Sequence, residues 1–158
     1  MRPGGIDKII SGGQTGVDRA ALDVAMALGI RCGGWIPRGR RTEDGPLSVD
    51  YPLRETASAA YEVRTHLNVR DADATLLLCR GRPSGGTALT LAIARELGRP
   101  HRLVDLIQPP DPLAVRTWIV TARIRVLNVA GPRESTNPHI YADASRFLFS
   151  VLRPDDDG

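Results

Sequence analysis

Lysine is almost missing from this chain: Lys8 is the one example, and arginine supplies the rest of the basic side chains. No arginine is therefore assigned a role on identity alone. Aromatic residues are scarce at 4%, and no basic stripe is interleaved with them, which argues against a nucleic-acid platform built on base stacking. The net charge of +3 is mild. His66, His101 and His139 are scattered and show no paired spacing with one another or with the cysteines, so a zinc site is not expected. The two cysteines, Cys32 and Cys79, sit in or beside apolar, strand-like runs, which suits reduced, buried thiols better than a disulfide framework. No apolar run approaches the roughly 20 residues needed to span a bilayer. The N-terminal MRPGGIDKII lacks the apolar centre of a signal peptide and neither end carries a lipidation signature, so the expected location is cytoplasmic.

Several catalytic and nucleotide-binding patterns are missing too. There is no G-x-x-x-x-G-K-[ST] loop, no G-x-G-x-x-G turn, no G-x-S-x-G elbow and no H-E-x-x-H helix. No Ser, His and Asp set stands out. What remains is a ligand cradle more than a catalytic engine.

The 158 residues, 42% hydrophobic and 25% charged, suit a single domain over residues 1–153, followed by a disordered acidic tail over 154–158. Short apolar runs alternate with amphipathic stretches, the pattern of βαβ units around a mostly parallel sheet of about five or more strands. Strands are predicted at Ile6 to Ser11, Ile30 to Trp35, Ala74 to Cys79, His101 to Leu106 and Arg125 to Ala130. Helical stripes connect them: Val17, Ala21, Val24 and Leu28; then Leu89, Ile93 and Leu97; then Ile140, Ala144, Phe147 and Val151. Pro138 is predicted in the first turn of the last helix, where its missing N–H costs nothing. The segment PPDPLAVRTWIV reads as a helix start, and YEVRTHLNVRDAD as a helix with Arg64 and Asn68 on one face.

In a parallel sheet the C-terminal ends of all strands lie on one side. The turns after the first, third and fifth predicted strands read GGQTG, GRPSGGT and GPREST, each rich in glycine or leading to a helix N-terminus. Glycine admits a ligand close to the backbone, and unpaired N–H groups with the helix dipole favour an anion. SGG occurs twice, at Ser11 to Gly13 and Ser84 to Gly86, and Arg133 and Glu134 reach the same crevice. Each turn also has a plainer reading. Thr15 to Asp18 match a capping box, and a carboxylate at Asp18 would repel a phosphate unless it takes a hydroxyl or amino group instead. Ser84 or Thr87 could be an ordinary N-cap, and Gly131 a turn glycine. The segment IPRGRRTEDGPLSVDYPLRE, Ile36 to Glu55, has no sustained period and reads either as a lid or as a solvated excursion.

Taken in order, GGQTGVDRAALDVA, GGWIPRGRRTEDGPL, YEVRTHLNVRDADATLLL, SGGTALTLAIARELGRP and LNVAGPRES resemble the molybdenum cofactor carrier family, over about Ile9 to Val151. That family lies among Rossmann-like proteins that include the Lonely Guy phosphoribohydrolases, often called lysine decarboxylase-like. The resemblance implies a single-domain, three-layer α/β fold that binds a phosphorylated molybdopterin carrying molybdenum, or a related nucleotide-like ligand. It implies a homo-oligomer, dimer or tetramer, with a molybdoenzyme as acceptor of the cargo. By position it assigns the ligand to Gly12, Gly13, Gln14, Thr15 and Gly16, to Ser84, Gly85, Gly86 and Thr87, and to Gly131, Arg133, Glu134 and Ser135. Asp18, Arg38, Arg64 and Asn68 complete the candidate cofactor-binding set. The hydrolase branch carries P-G-G-x-G-T-x-x-E, and its glutamate falls on Thr90, which cannot act as an acid or base at neutral pH. Carriage without turnover is the expectation. The alternatives are a nucleoside-monophosphate phosphoribohydrolase using Glu43, Asp44 or Glu134, and a nucleotide-sensing module.

Overall fold

The computed structural model describes residues 5–155. Five parallel strands, β1 (Lys8–Ile10), β2 (Arg31–Gly33), β5 (Ala74–Cys79), β6 (His101–Asp105) and β7 (Val126–Ala130), form one sheet in the order β2-β1-β7-β5-β6. A separate two-stranded parallel pair joins β3 (Trp35–Ile36) to β4 (Arg54–Glu55). Five helices accompany the strands: α1 (Val17–Ala27), α2 (Tyr61–Asp71), α3 (Gly85–Glu96), α4 (Pro112–Thr121) and α5 (Ile140–Leu152). α1 and α4 both pack against α5, while α2 packs against α3, so the sheet lies between two helical layers. This is the three-layer α/β architecture expected.

The two faces of the sheet differ in chemistry. Ile9, Leu76, Leu78, Leu127 and Val129 join α1, α4 and α5 in one large apolar cluster. The alternate residues point to the α2 and α3 side, where the cluster is only Val69, Ile93 and Ala94 with Leu89 against it, and where Thr75 and Asn128 are buried polar groups. Burying each leucine of β5 stabilises the fold by about 1.5–3 kcal/mol, and all six residues of that strand are buried, as a central parallel strand requires. The thin, polar face is where room is left for a ligand.

Local chemistry explains most boundaries. Asp111 caps α4 by accepting from Leu113 N–H at 2.9 Å, with Pro112 opening the helix. The stripe Ile140, Ala144, Phe147 and Val151 is buried throughout. The predicted strand Ile30 to Trp35 is divided, because Gly34 sits at φ +127 and a Cβ there would lie 2.3 Å from Ser11 O. Pro138 falls outside α5: His139, left-handed at φ 71, precedes Ile140, and the proline belongs to the turn before it. Leu97, the last residue of the helical stripe Leu89, Ile93 and Leu97, is 37% exposed because it is the C-cap residue of α3, beyond the last covered turn. Asp155, predicted in a disordered tail, pairs with Arg116, while 156–158 lie outside the described residues. Among the described residues no helix is long and apolar enough to cross a membrane.

Candidate ligand-binding cleft

The chain leaves β1 through α1 toward one sheet edge and leaves β5 through α3 toward the other, with β7 between them. The two helices start on opposite faces of the sheet, and a crevice opens where the strand order reverses, the usual place for a ligand in such folds. A cleft of about 320 Å³ lies there, lined from the first turn by Gly12, Gln14 and Asp18, from α2 by Arg64, Thr65 and Asn68, and from the second turn by Ser84 to Thr87 and Thr90. Asn128 and Ala130 of β7 and the third turn from Gly131 to Arg133, with Thr136 and Asn137, complete it.

The turn at α3 is open. Ser84 is the N-cap residue but makes no side-chain cap bond, and its carbonyl accepts from Thr87 N at 3.1 Å and Ala88 N at 3.2 Å. Nothing lies within 4 Å of a Cβ added at Gly85 or Gly86. Among the described residues the amides of Gly85 and Gly86 have no partner, so two N–H groups at the positive end of a helix face the cleft side.

The turn at α1 is closed. The Asp18 carboxylate accepts from Gln14 N at 3.3 Å, Ser11 Oγ takes the weak bond from Gly13 N at 3.4 Å, and Gln14 Oε1 accepts from Thr15 N at 3.1 Å. The protein's own side chains thus occupy the amides that an anion would need. Gly12 is overlain by Arg64, whose Nη1 donates to Gly12 O at 2.6 Å and lies 3.9 Å from Asp18 Oδ2. Burial pushes Asp18 up to about 6, against the pull of Arg64 and of the Gln14 amide. Thr15 forms no capping box: the N-cap is Gly16, and Thr15 Oγ1 instead donates to Glu43 and accepts from Glu134 N at 3.1 Å. Asp18 does take a backbone donor, but from Gln14, ahead of the helix.

The excursion from Ile36 to Glu55 is packed against the first turn. Leu22, Ile36, Leu47 and Leu53 form a small core, and the three from the excursion are what a Cβ on Gly13 would strike at 2.9–3.0 Å. The Arg40 guanidinium donates to the carbonyls of Leu47, Leu53, Ser48 and Tyr51 at 2.6–3.1 Å. Glu43 ties this segment to the sheet edge. Its N–H donates to Gln14 Oε1 at 2.9 Å, and its carboxylate accepts from Thr15, from Ser135 Oγ and from Ser135 N at 3.2 Å. Burial would raise its pKa, yet the hydrogen bonds from Ser135 and Thr15 outweigh that and hold it below the ordinary carboxylate value. With Oε1 of Gln14 fixed by two N–H groups, Nε2 is left buried and without a partner among the described residues. The one ring of Tyr61 has the guanidinium groups of Arg41, Arg64 and Arg133 at 4.3, 5.1 and 5.6 Å from its centroid.

The profile of the circularly permutated YpsA SLOG family matches residues 9–152. The chain belongs to this family. Among solved structures, this SLOG protein is similar to one from Syntrophus aciditrophicus described as a proposed molybdenum carrier protein, at 42% identity and a TM-score of 0.91, over 96% of this chain and 98% of that one. No curated protein matches it. The identity and coverage agree with the carrier-family resemblance drawn from the sequence.

Of the candidate residues, the SLOG cleft brings together Gly12, Gln14, Asp18, Arg64, Asn68, Ser84, Gly85, Gly86, Thr87, Gly131 and Arg133. Gly13, Thr15, Gly16, Arg38, Glu134 and Ser135 lie outside its lining. Gly13 and Gly16 face packed neighbours, since a Cβ on Gly16 would stand 2.3 Å from Pro132 O. Arg38 is exposed on the excursion, its N–H donating to Ser58 O at 3.0 Å. Both Glu134 oxygens accept at the start of α5, from His139 N at 2.7 Å and Tyr141 N at 2.9 Å. Asn68 lines the cleft but grips Trp35 through N–H and carbonyl at 2.7 and 3.0 Å, joining α2 to β3. The sequence reading missed Thr65, Asn128, Thr136 and Asn137. Asn128, a polar residue in the run VLNVA, was the one with a visible signal, because a buried central strand has little other reason to hold it.

Proposed function

We propose that this protein carries or stores the molybdenum cofactor, a phosphorylated molybdopterin, in the cleft between α1, α2 and α3. The observation that supports this most is the open N-terminus of α3, where the Gly85 and Gly86 amides and the Ser84 hydroxyl offer an anion site beside a polar cleft. The name given to the Syntrophus aciditrophicus protein points the same way. The phosphate lies on that turn. Arg64 and Arg133 add positive charge along the cleft, and the pterin occupies the space toward Asp18. Among the described residues no three of His, Cys, Asp or Glu are grouped to hold a metal ion, so molybdenum enters as part of the pterin cargo. The protein works in the cytoplasm as a homo-oligomer and hands its cargo to a molybdoenzyme. The test is anaerobic purification from a host that makes the cofactor, with metal analysis and fluorescence of oxidised pterin on one sample. Stoichiometric pterin with molybdenum is the expected result; protein that stays empty in that host would end the carrier reading.

A second reading, phosphoribohydrolase action on a nucleoside monophosphate, has a narrower basis than the sequence suggested. Thr90, where the hydrolase glutamate falls, lines the cleft and donates to Gly86 O at 2.9 Å. Glu43 and Glu134 are occupied by hydrogen bonds outside the cleft lining, and Asp44 pairs with Arg19 at 3.3 Å. Asp18 is the carboxyl group left inside, with a pKa of about 6 that suits proton transfer. Release of ribose 5-phosphate at high protein loading, abolished in Asp18→Asn, would favour this reading.

A further inference from the structure

Several polar side chains of the cleft are already engaged by the protein. Asn68 holds Trp35 with both ends of its amide, Thr65 Oγ1 donates to Tyr61 O at 2.9 Å, and Thr90 Oγ1 donates to Gly86 O at 2.9 Å. Asn128 is different. It is 2% exposed in the middle of β7, and its neighbours Leu127 and Val129 turn to the apolar cluster on the other face of the sheet. Its Nδ2 donates to Thr75 Oγ1 on β5 at 3.2 Å, which leaves Oδ1 without a partner among the described residues. Unlike Gln14 Nε2, Oδ1 is not enclosed: it keeps accessible surface, and the space that Asn128 lines is the cleft. Thr87, 3% exposed in the first turn of α3, lines the same space with a hydroxyl that is likewise unpaired among the described residues and not enclosed. A ligand that covers these atoms has to bond them or leave them stranded.

The strand order fixes where along the ligand this happens. β7 lies between β1 and β5, about 4.8 Å from each, with Asn128 in register with Ile10 and Thr75. The Asp18 end of the cleft follows β1 and the open α3 turn follows β5, so Asn128 stands opposite the segment that joins the phosphate of a bound ligand to its ring. From this placement we infer that Asn128 is a specificity residue, whose Oδ1 accepts from an N–H or O–H donor at that segment and disfavours a ligand without one. Two kinds of ligand carry such a donor: the ribose of a nucleotide, through its hydroxyls, and a reduced pterin, through its ring N–H groups. This rests on the cleft being the seat of a phosphorylated heterocycle, and it adds the residue that reads the middle of that ligand.

Titration calorimetry of the full chain with two ligand pairs tests it. One pair is GMP and its 2′,3′-dideoxy analogue. The other, handled anaerobically, is the phosphate ester of 6-hydroxymethyl-tetrahydropterin and that of the fully oxidised pterin, which lacks the N–H groups of the reduced ring. In at least one pair the member with the donor is expected to bind about tenfold more tightly than its partner. The GMP pair would identify a ribose hydroxyl as the donor, and the pterin pair a ring N–H. Asn128→Leu, close in volume and unable to accept, should bring that preference down to threefold or less, roughly, while Asn128→Asp, which keeps an acceptor, should hold it. Asn128→Ala, equally unable to accept, serves in place of Asn128→Leu if the larger side chain prevents folding. A merely structural role would weaken both members of a pair alike and leave the preference standing, which overturns the inference. It is overturned as well by a wild type that shows no preference in either pair or binds none of the four ligands. A preference lost in Asn128→Asp as fully as in Asn128→Leu also overturns it, since the amide N–H₂ and not the oxygen would then be the reading group. Failure of the carrier reading looks different: the preference and its dependence on Asn128 persist while protein from the cofactor-making host stays empty.

Discussion

The two SGG turns have the same three residues and opposite fates. Ser11 to Gly13 is buried, with the Gly13 amide donating to Ser11 Oγ and the next two amides, of Gln14 and Thr15, taken by the side chains of Asp18 and Gln14, and its glycines are pressed by Arg64 and by the side chains of Ile36, Leu47 and Leu53. Ser84 to Gly86 is exposed, with open space around both glycines and free amides at a helix start. A glycine-rich turn at the end of a strand therefore has two uses, close packing of the protein on itself and close approach of a ligand. What decides between them is whether an internal carboxylate already stands at the amides. Asp18 makes the first turn an ion site that the protein fills for itself.

Breaking the closed turn has the largest expected effect. Gly16 has φ +77 and its Cβ position is 2.3 Å from Pro132 O and 2.9 Å from Glu134 N, all backbone of the third turn. Gly16→Ala combines left-handed strain with an overlap that no rotamer relieves, and should cost about 4 kcal/mol of unfolding free energy. Denaturant unfolding measures it, and a loss under about 1 kcal/mol would show that the first and third turns are not held together.

The buried carboxylate comes next. Its pKa in the folded protein, about 6, lies above the ordinary aspartate value of 3.8, so the native state holds the proton more tightly than the unfolded chain. The stability it contributes is present at low pH and is lost as pH rises from about 4 to about 6. A rise of roughly two pH units corresponds to about 3 kcal/mol. Other carboxylates, such as Glu43 and Asp44, are lowered and act in the opposite sense, but they are common to wild type and Asp18→Asn. The difference in unfolding free energy between the two proteins should therefore move in favour of Asp18→Asn across that window. Parallel pH curves for the two would mean that the first turn does not confine its carboxylate.

The open turn yields the converse. Gly86 has ordinary φ and open space, so Gly86→Asp should fold with its melting temperature within a few degrees of wild type, helped slightly by a negative charge in the first turn of α3. The same charge repels a phosphate, and binding of GMP should fall about tenfold to a hundredfold. Unaltered affinity would remove the phosphate from that turn. The corresponding change at Gly13, which the sequence alone makes look like the same experiment, would instead drive a carboxylate into Leu53, Ile36 and Leu47 and report on folding.

This contrast marks how far the sequence could be read. The run ATLLLC, the stripe of α5 and the placing of three glycine turns on one sheet edge follow from local periodicity, and β1, β7 and β5 do lie side by side. Which turn is open does not follow from local pattern. The groups that close the first one come from Leu47 and Leu53 on the excursion and from Arg64 on α2, all distant in sequence. Gln14 could be named as a candidate, but its unpaired Nε2 exists only because Glu43 holds the other end of the amide.

The smallest expected effect concerns the excursion, which the sequence left open between lid and surface loop. Its order comes from a device with no periodic signature: Arg40, in a left-handed conformation at φ 53, sends one guanidinium to four carbonyls. A single ammonium has three donors and no planar fork, so Arg40→Lys cannot reproduce that set. The expected cost is about 1 kcal/mol of stability, as for a few partly exposed hydrogen bonds, with faster proteolytic cleavage between 41 and 52. A lid would behave otherwise, being cut readily in the free protein and protected by ligand. Here the wild-type segment should resist cleavage with or without GMP, because its apolar cluster and the Glu43 contacts are already made. Strong protection by GMP would show that the segment closes on the ligand, and the closed turn would then be a state of the protein and not a fixed part of its fold.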